Sequence, residues 1–578
     1  MKDFVQLKKN LKKDFSGLPV IKLAVLGDTA TQLLNQALRS MGYDYGFNLQ
    51  IWEADFNQVE RQISDHSSEL YEYNPDVVLI FHSTHKLLSK YNNTDTTHHY
   101  TFAEDEINHL NNLYSTVSNR LNAKVLYYNY PEINDAVFGN FATKTESSFL
   151  FQLRKLNYEL MLFAVKNSSF YICDIASIQN QVGKKNFFHP SIYVNTEMVL
   201  QIDALPSVAA KTLDIISALN GKFKKCVILD LDNTVWGGII GDDGIENIQI
   251  GELGIGKAFT ELQQWVKKLI NRGIIVGVCS KNTESVAKEP FESHPDMVLR
   301  LDDISVFIAN WENKVDNLRL IQSVLNVGFD SMVFLDDNPF ERNMVRENIP
   351  GITVPELPED PADYLEYLYT LNLFETVSVS GEDTRRTKLY QQEAKRASVQ
   401  KTFTDESSFL ESLDMLSLVE SFNEFNTPRV AQLSQRSNQF NLRTVRYAEA
   451  DVKLLAASEN HFTFSFTLDD KFGENGLIGV IVLKKENNET LFIDTWLMSC
   501  RVLKRTMENF MLNTIVQVAK ANGFKKLKGE YIPTAKNAMV KDHYSSLGFV
   551  QDGNYWTLNT ETYQPRKCFI RPKEKIYG

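Results

Sequence analysis

The chain has 578 residues, too many for one hydrophobic core, so its length predicts about three or four domains. Its net charge of −12 argues against a nucleic acid or an anionic membrane as the main partner. The sequence has no apolar run near the length of a membrane span, no apolar signal segment and no CxxC pair, so we expect a cytoplasmic protein without disulfides or zinc.

The first predicted domain, residues 1–220, contains three apolar runs that are typical of buried strands. They are IKLAVLGD (Ile21 to Asp28), DVVLIF (Asp76 to Phe81) and KVLYYNY (Lys124 to Tyr130). A helix-like stretch follows the first run. This alternation predicts an α/β domain with a flavodoxin-like sheet.

The second predicted domain, residues 221–375, has three apolar runs that each end in polar residues. Runs rich in Val and Ile predict strands of a parallel sheet, and the carboxyl ends of such strands meet at one edge. The runs are CVILDLDNT (Cys226 to Thr234), IIVGVCSKN (Ile274 to Asn282) and MVFLDDNPF (Met332 to Phe340).

A helical connector is predicted over residues 376–414, and a last domain over 415–578. The last domain contains FTFSFTL and GLIGVIVLKK, whose alternation indicates an antiparallel or mixed sheet. The chain as a whole is therefore predicted to be an α/β multidomain protein.

Four carboxylates are expected at the edge of the second domain's sheet. Asp230 and Asp232 are two residues apart in an extended segment, so they point the same way. Carboxylates this close repel each other and need a cation or a shared proton. Asp336 and Asp337 add further negative charge. A ligand set of oxygen atoms without His or Cys suits Mg²⁺.

The order DLDNT, Ser280, Lys314 and DD resembles the four motifs of the haloacid dehalogenase (HAD) phosphatase superfamily. The resemblance implies that Asp230 is the nucleophile and forms an aspartyl-phosphate, and that Asp232 is the general acid/base. It also implies Mg²⁺ ligation by Asp230, Asp232 (through its carbonyl oxygen), Asp336 and Asp337. The residues expected to hold the phosphoryl group are Thr234, Ser280, Lys281, Asn282 and Lys314.

The segments LDLDNTVWGGIIGDDG, CSKN, NWENK and FLDDNPFER, with the later Asp383-Thr384-Arg385-Arg386, are similar to the FkbH family along the whole chain. This resemblance implies an enzyme that takes a glyceryl group from 1,3-bisphosphoglycerate, removes phosphate and loads an acyl carrier protein as a thioester. The alternative is a HAD phosphatase that acts on a phosphorylated sugar or small acid in surface polysaccharide biosynthesis, without acyl transfer.

Two local features bear on acyl transfer. The intervals between the motifs leave no room for a large cap, and Trp236 to Gly244 has room only for a glycine-hinged flap, so a bulky partner could approach. Cys279 could accept an acyl group. Since neighbouring strand residues face opposite sides and Ser280 faces the site, we favour a buried strand cysteine.

The first domain resembles an SGNH-type hydrolase fold, with Thr29 after Gly-Asp where that family has its nucleophilic serine. Asn140 resembles part of the oxyanion hole, and Asp174 and His189 could be remnants of the Asp/His pair. Because threonine is hindered and the Asp–His spacing is too long, we expect a non-catalytic domain used for binding or docking.

The last domain resembles the GNAT acyltransferase fold. Its phosphate-binding loop would be Arg501 to Thr506, which lacks the glycine that lets a backbone approach phosphates. The resemblance leaves room for a coenzyme A or phosphopantetheine site. The candidate residues are Arg501, Lys504, Arg505, Asn537 and Tyr544. The segment RSNQFN (Arg436 to Asn441) is either a solvated loop or part of a domain interface.

Overall fold

A computed structural model describes residues 2–379, 386–400, 402–437, 439–534 and 536–573. The chain divides into two compact units, Met1–Ser217 and Ala218–Gly578. The predicted fold class is confirmed, since both units are built from sheets and helices and the first two sheets are parallel. Three residues of the family-like stretch, Asp383 to Arg385, lie outside the described residues.

The first unit contains a five-stranded sheet in the order β2-β1-β3-β4-β5, with every neighbouring pair parallel. The chain runs from β1 outward to β2 and then returns to the other side of β1, so the strand order reverses between β1 and β3. Strand β3 is buried along its whole length, as its sequence VVLIF predicts. The strands are β1 Val20–Gly27, β2 Asn48–Glu53, β3 Val77–Phe81, β4 Lys124–Tyr128 and β5 Phe170–Cys173. The helices are α1 Phe4–Lys8, α2 Gln32–Asp44, α3 Val59–Ser64, α4 Glu69–Tyr73, α5 Thr84–Asn93, α6 Phe102–Ser118, α7 Phe149–Lys166, α8 Ile175–Val182, α9 Lys184–Phe187, α10 Pro190–Thr196 and α11 Leu205–Leu219.

The second unit begins with a four-stranded parallel sheet in the order β8-β7-β6-β9. Strands β6, β7 and β9 are buried at every residue, because helices cover both faces. The strands are β6 Cys226–Leu229, β7 Ile275–Ser280, β8 Val306–Ala309 and β9 Met332–Leu335. The helices are α12 Ile240–Asp243, α13 Gly256–Asn271, α14 Glu284–Ser293, α15 Lys314–Leu325, α16 Pro339–Asn348 and α17 Tyr364–Leu371.

Two helices, α18 Arg386–Gln400 and α19 Glu406–Ser412, lie within residues 376–414, for which the sequence predicts a helical connector. The side-chain amide of Gln391 donates to the carbonyl oxygen of Ile304 at 3.1 Å, and Tyr390 belongs to the core around β6 and β9. On its other side α18 presents Arg396, which donates to the buried carboxylate of Asp470 at 3.0 Å. The connector therefore packs between the two sheets of the second unit.

The last sheet is mixed, as predicted, and its main path runs β16-β17-β15-β14-β13-β12-β10-β18, with β11 pairing to β12. Helix α22 connects the parallel strands β14 and β15. The strands are β10 Met415–Ser417, β11 Val419–Glu420, β12 His461–Asp470, β13 Gly473–Lys485, β14 Thr490–Met498, β15 Lys526–Glu530, β16 Val550–Asp552, β17 Tyr555–Asn559 and β18 Ile570–Pro572. The helices are α20 Thr427–Arg436, α21 Glu449–Ala457, α22 Met507–Ala521 and α23 His543–Ser546.

A short segment of the chain bonds to both β14 and the residues that follow β15. The backbone N–H of Leu442 donates to the carbonyl oxygen of Trp496 at 3.3 Å, and the N–H of Met498 donates to Phe440 at 3.1 Å. On the other side, the N–H of Ile532 donates to Leu442 at 2.9 Å. The segment 440–442 thus occupies the space where the two parallel strands separate.

Among the described residues, no helix has both the length and the apolar character needed to cross a membrane.

Candidate active site

The structure brings the predicted catalytic residues to one edge of the four-stranded sheet. Asp230 directly follows β6, Ser280 ends β7, and Asp336 directly follows β9. Because β7, β6 and β9 are parallel neighbours, their carboxyl ends carry these side chains into a common space. All three residues are buried, with exposed fractions of 6%, 1% and 0%.

Lys314, the first residue of α15, links the carboxylates of two strands. Its ammonium nitrogen lies 2.9 Å from an oxygen of Asp230 and 2.6 Å from an oxygen of Asp336. Burial alone would lower the pKa of Lys314, but the two carboxylates outweigh it and raise the pKa above its ordinary value. The side chain is therefore a permanent cation at the centre of the site.

The carboxylates of Asp230, Asp336 and Asp337 lie close enough to share a cation. One oxygen from each lies within 4.8 Å of the others. Burial, followed by the charge of Asp230, raises the pKa of Asp336 to about 7 and that of Asp337 to about 6. One lysine does not neutralise three carboxylates, of which Asp230 and Asp336 are buried. A donor set made only of oxygen atoms fits a small hard cation such as Mg²⁺.

Asp232 is held in one orientation by three donors. Its Oδ1 accepts hydrogen bonds from the indole N–H of Trp236 at 2.9 Å and from the backbone N–H of Ile240 at 3.1 Å. Its Oδ2 accepts a hydrogen bond from the side-chain amide of Asn282 at 2.9 Å. A carboxyl group fixed in this way can move a proton at a defined position.

Three residues predicted to bind phosphate have partners within the protein. The hydroxyl of Thr234 accepts a hydrogen bond from the backbone N–H of Asp337 at 3.1 Å. Lys281 forms an ion pair with Glu341 at 2.6 Å. The amide of Asn282 contacts Ser280 Oγ at 3.3 Å as well as Asp232. Their roles in phosphate binding remain predictions, whereas these contacts show that they order the site.

Sequence reasoning missed two residues that support the site. The indole of Trp236 is fully buried and bonds to Asp232. The guanidinium of Arg342, 4% exposed, donates to the carbonyl oxygens of Asp336 and Asp337 at 2.8 and 2.6 Å. A tryptophan four residues after Asp232 and an arginine on the helix that follows the DD pair were the available signals.

The cover of the site is small. The two ends of the flap are joined by two backbone hydrogen bonds between Gly237 and Gln249, at 3.0 and 2.8 Å. Between them lie Gly238, whose φ of 92° is in the left-handed region, and the short helix α12. The described chain between Asp230 and Asp336 contains no separate cap domain, in line with the expected glycine-hinged flap.

Comparison with known proteins identifies the family. A family described as FkbH, N-terminal domain, matches residues 22–217. The chain is also 58% identical to the N-terminal part of the protein BF1531 from Bacteroides fragilis, a crystal structure described as containing a phosphatase domain complexed with Mg. That similarity covers 65% of this chain and 100% of the other, with a TM-score of 0.63.

The chain is a member of the FkbH family. Its family and its Mg-bound relative support a HAD-type phosphatase. The carboxylate site described above lies in the second unit.

Weaker structural similarities involve a smaller part of this FkbH-family chain. A domain from Methanocaldococcus jannaschii is 15% identical, and the ribosomal-protein-S18-alanine N-acetyltransferase from Escherichia coli is 14% identical. Each covers 25% of this chain, and 99% and 94% of its own chain respectively, with a TM-score of 0.21. Scores this low bear on neither fold nor function. No curated protein matches the sequence.

Cys279 lies in the apolar core of the FkbH-family phosphatase domain. Its thiol is fully buried, and its sulfur lies 3.8 Å from the carbonyl oxygen of Lys314. Burial raises the pKa of the thiol well above its usual range. This placement favours the buried strand cysteine over the acyl acceptor, because thiol nucleophiles react as thiolates.

The four SGNH-like candidates of the first unit are not joined by hydrogen bonds among the described residues. Thr29 is buried, whereas Asn140 is exposed in the short 3-10 helix Gly139–Lys144. Asp174 caps helix α8 by accepting from the backbone N–H of Ser177. His189 precedes α10. In the described part of the chain these residues therefore do not form a catalytic triad. A non-catalytic domain remains the prediction.

The candidate pantetheine residues of the last sheet are mostly engaged within the protein. Asn537 is fully buried, and its amide donates to the carbonyl oxygens of Asn441 and Ile532 at 3.0 and 2.9 Å. Tyr544 is buried, and Arg505 pairs with Glu393 and Asp470. Of the five candidates, Arg501 and Lys504 are the two that line a groove of about 1570 Å³ beside α22. The pantetheine site therefore remains a prediction that rests on this groove.

The segment Arg436 to Asn441 forms part of an interface inside the second unit. Asn441 is fully buried, and the carbonyl oxygen of Arg436 accepts a hydrogen bond from the ammonium of Lys225 at 2.9 Å. Asn438 lies outside the described residues. Of the two alternatives left open by the sequence, the contacts support the interface rather than the solvated loop.

Proposed function

We propose that this protein is a Mg²⁺-dependent HAD-type phosphatase that removes phosphate from a glyceryl phosphate of the 1,3-bisphosphoglycerate type and passes the glyceryl group to an acyl carrier protein. The observation that carries the phosphoryl chemistry is the buried ammonium of Lys314 between the carboxylates of Asp230 and Asp336. The identities of the glyceryl substrate and the carrier protein are inferred from the resemblance to the FkbH family.

In the first step, a carboxylate oxygen of Asp230 attacks the phosphorus of the ester phosphate on C3, and the bond from that phosphorus to the C3 oxygen breaks, which gives an aspartyl-phosphate and leaves the acyl phosphate on C1 intact. Asp232 donates a proton to the leaving oxygen. In the second step, water attacks the same phosphorus while Asp232 takes its proton, and phosphate leaves as the carboxylate of Asp230 is restored. Ser280 and Lys314 hold the phosphoryl oxygens throughout.

Mg²⁺ would be held by Asp230, Asp336 and Asp337, together with the carbonyl oxygen of Asp232. Bound there, the ion supplies positive charge that offsets the carboxylates and the phosphoryl oxygens. Arg342 fixes the backbone of Asp336 and Asp337, so that both carboxylates are aimed before the ion arrives.

The acyl transfer needs a thiol that reaches the acyl carbon. Since Cys279 is buried in a core with a raised pKa, the thiol of the carrier protein is the better candidate. Its sulfur would bond to the acyl carbon as the acyl phosphate bond breaks, giving a thioester and free phosphate. The small flap leaves room for a carrier protein at the site.

The test is to incubate the protein with Mg²⁺, 1,3-bisphosphoglycerate and candidate carrier proteins in their phosphopantetheine form. The expected result is a carrier that gains the mass of one glyceryl group, with release of phosphate. Asp230→Asn is the matched control, because it keeps the shape of the site and cannot form the phosphoenzyme.

Two other outcomes decide between the alternatives. Phosphate release without any gain of mass on a carrier would favour a plain phosphatase acting on a sugar phosphate or a small phosphorylated acid. Neither phosphate release nor a change in mass, with active carrier proteins, would contradict the proposal as a whole.

A further inference from the structure

A second pocket lies in the first unit, apart from the phosphatase site. It has a volume of about 160 Å³ and lies at the carboxyl ends of the parallel strands β1, β3 and β4. Asp28 follows β1, His82 follows β3, and Tyr130 comes two residues after β4. The strand order reverses between β1 and β3, and crevices at such a reversal are where open α/β sheets bind ligands.

Asp28 is a buried acceptor at the floor of this pocket. Its side chain is 8% exposed, and its two oxygens accept from the backbone N–H of Ser83 at 3.0 and 2.9 Å. Burial is the main cause that raises the pKa of Asp28 to about 7. The pocket therefore holds a carboxyl group with remaining capacity to bond to a donor from a ligand.

His82 presents a buried nitrogen to the pocket. Its Nδ1 lies 3.0 Å from the hydroxyl of Tyr127, which lies 2.6 Å from the hydroxyl of Tyr130. Burial lowers the pKa of His82 to about 4, so the ring is neutral. Within the described part of the chain, Nε2 of His82 has no hydrogen-bond partner. A buried polar atom of this kind calls for a group that the protein itself does not provide.

Glu60 lies opposite this nitrogen. Its Oε1 is 3.9 Å from His82 Nε2, too far for a hydrogen bond but short enough for one atom to bridge the two. Glu60 is ionised, since the hydrogen bond from His109 at 3.3 Å is the main cause that lowers its pKa to about 2. A hydroxyl group can accept from the imidazole N–H and donate to the carboxylate at the same time.

Each of the two lysines at the rim of the pocket is paired with a carboxylate of the protein. Lys86 pairs with Glu197 and Lys90 pairs with Glu106, both at 2.6 Å. The cations at the rim are thus matched by carboxylates, which gives no electrostatic preference for a phosphate. A ligand that donates to Asp28 and Glu60 and accepts from His82 carries hydroxyl groups and no anionic group.

We propose that this pocket binds a small neutral polyol of three or four carbons, with one hydroxyl between His82 Nε2 and Glu60 and another on Asp28. The size follows from the volume, because a cavity of about 150 Å³ holds a molecule of roughly six heavy atoms. The site is separate from the phosphatase centre and independent of the function proposed above.

The test uses the full chain, with glycerol and erythritol as probes and ligand-observed NMR as the measurement. Saturable binding of at least one polyol is expected. Glu60→Gln and His82→Phe should each weaken it about tenfold or more, as expected for loss of a hydrogen bond to a charged or buried group. His98→Phe, on an exposed surface, and Asp230→Asn, in the other unit, should leave it unchanged.

Glu60→Gln keeps the side-chain shape, so it tests the pocket even if His82→Phe disturbs folding. Absence of saturable binding of both polyols would overturn the proposal. So would equal affinity in the wild type and Glu60→Gln, or binding of ethanolamine as a cation in place of the polyols.

Discussion

Asp230 and Asp232 have different environments, and this difference defines their roles. Asp230 lies against the ammonium of Lys314, which orients its carboxylate for attack on phosphorus. Asp232 lies among neutral donors from Trp236, Ile240 and Asn282. We expect Asp230→Asn to abolish turnover, because an amide cannot form the phosphoenzyme. Asp232→Asn should reduce kcat by about 10²–10⁴-fold, or about 3–5.5 kcal/mol.

Steady-state phosphate release at saturating substrate measures kcat for both variants. Trapping with acid should recover phosphoenzyme from Asp232→Asn and none from Asp230→Asn. Turnover of Asp230→Asn at the rate of the wild type would contradict the assignment.

The hydrogen bond from Trp236 to Asp232 can be removed with little change in shape. Trp236→Phe keeps an aromatic ring in the core and removes the indole N–H. Because a hydrogen bond to a charged group contributes about 1.5–3 kcal/mol, we expect kcat/KM to fall about 10- to 100-fold.

Trp311→Phe is the matched control. Trp311 is 74% exposed, and it is not one of the three residues that donate to Asp232. An unchanged kcat/KM in Trp236→Phe would show that the indole serves packing alone.

At the scale of the element, the flap depends on one glycine. Gly238 has a φ of 92°, and a Cβ built there would lie 2.6 Å from a carboxylate oxygen of Asp243. Left-handed backbone costs a residue with a side chain about 1–2 kcal/mol. Since the flap supplies the N–H of Ile240 to Asp232, we expect Gly238→Ala to lower kcat/KM about tenfold with a small change in melting temperature.

Gly241→Ala is the control within the same flap. No atom lies within 4 Å of a Cβ at Gly241, so its activity should equal that of the wild type. If the two variants lost activity equally, conformation at Gly238 would not be the cause.

The connector helix α18 is joined to the last sheet by a buried ion pair. Arg396 and Asp470 have 2% and 0% exposed side chains. Removing one partner leaves a buried charge, although Arg505 still reaches Asp470 at 3.3 Å. We expect Arg396→Met to lower the free energy of unfolding by about 3 kcal/mol, measured by urea denaturation followed by circular dichroism.

The pair between Arg571 and Asp414 gives the matched comparison, with side chains 67% and 70% exposed. Arg571→Met should stay within about 0.5 kcal/mol of the wild type. Equal effects of the two substitutions would mean that burial of the pair near α18 has no energetic consequence.

The sequence predicted those parts of the fold and site that depend on local pattern. Apolar runs that end in Asp230, Ser280 and Asp336 identify strands and the edge where they end, since the carboxyl ends of parallel strands coincide. The contacts of Trp236 and Arg342 depend on how the flap and α16 fold back over that edge. The periodicity of the sequence carries no information about these tertiary contacts.

The same reason explains what the sequence pattern leaves open in the last domain. A polar segment such as Arg436 to Asn441 is usually exposed, yet here its backbone completes the gap between two separated strands. Asn537 was selected as a ligand-binding residue from a motif, and in the structure it bonds to that inserted segment. Tertiary pairing of backbone groups determined both outcomes.

At the scale of the whole molecule, buried titrating groups couple stability to pH and to Mg²⁺. In the metal-free protein, Asp336 and Asp337 keep protons up to about pH 7 and 6, whereas the unfolded chain releases them near pH 3.9. The folded state therefore binds more protons between about pH 4 and 7, and this contribution to stability is lost as pH rises. Mg²⁺ requires the deprotonated carboxylates, so its stabilisation should grow over the same range.

We expect the melting temperature with Mg²⁺ minus that with EDTA to be close to zero at pH 5 and to rise steadily to pH 8. At a Mg²⁺ concentration of 100 times Kd, the gain corresponds to about 2.7 kcal/mol. Differential scanning fluorimetry in buffers of constant ionic strength provides the measurement. In Asp336→Asn the difference should be small at every pH.

Subtracting the melting temperature in EDTA from that in Mg²⁺ cancels the contributions of groups that titrate independently of the metal. Burial lowers the pKa of His82 and His85 to about 4 and that of His543 to about 3, so these residues stabilise the fold increasingly as pH rises towards 6.5. Asp28, with its pKa raised to about 7, acts in the opposite direction. All four contribute equally with and without Mg²⁺, so a difference that stayed constant from pH 5 to 8 would show that Asp336 and Asp337 do not hold the ion.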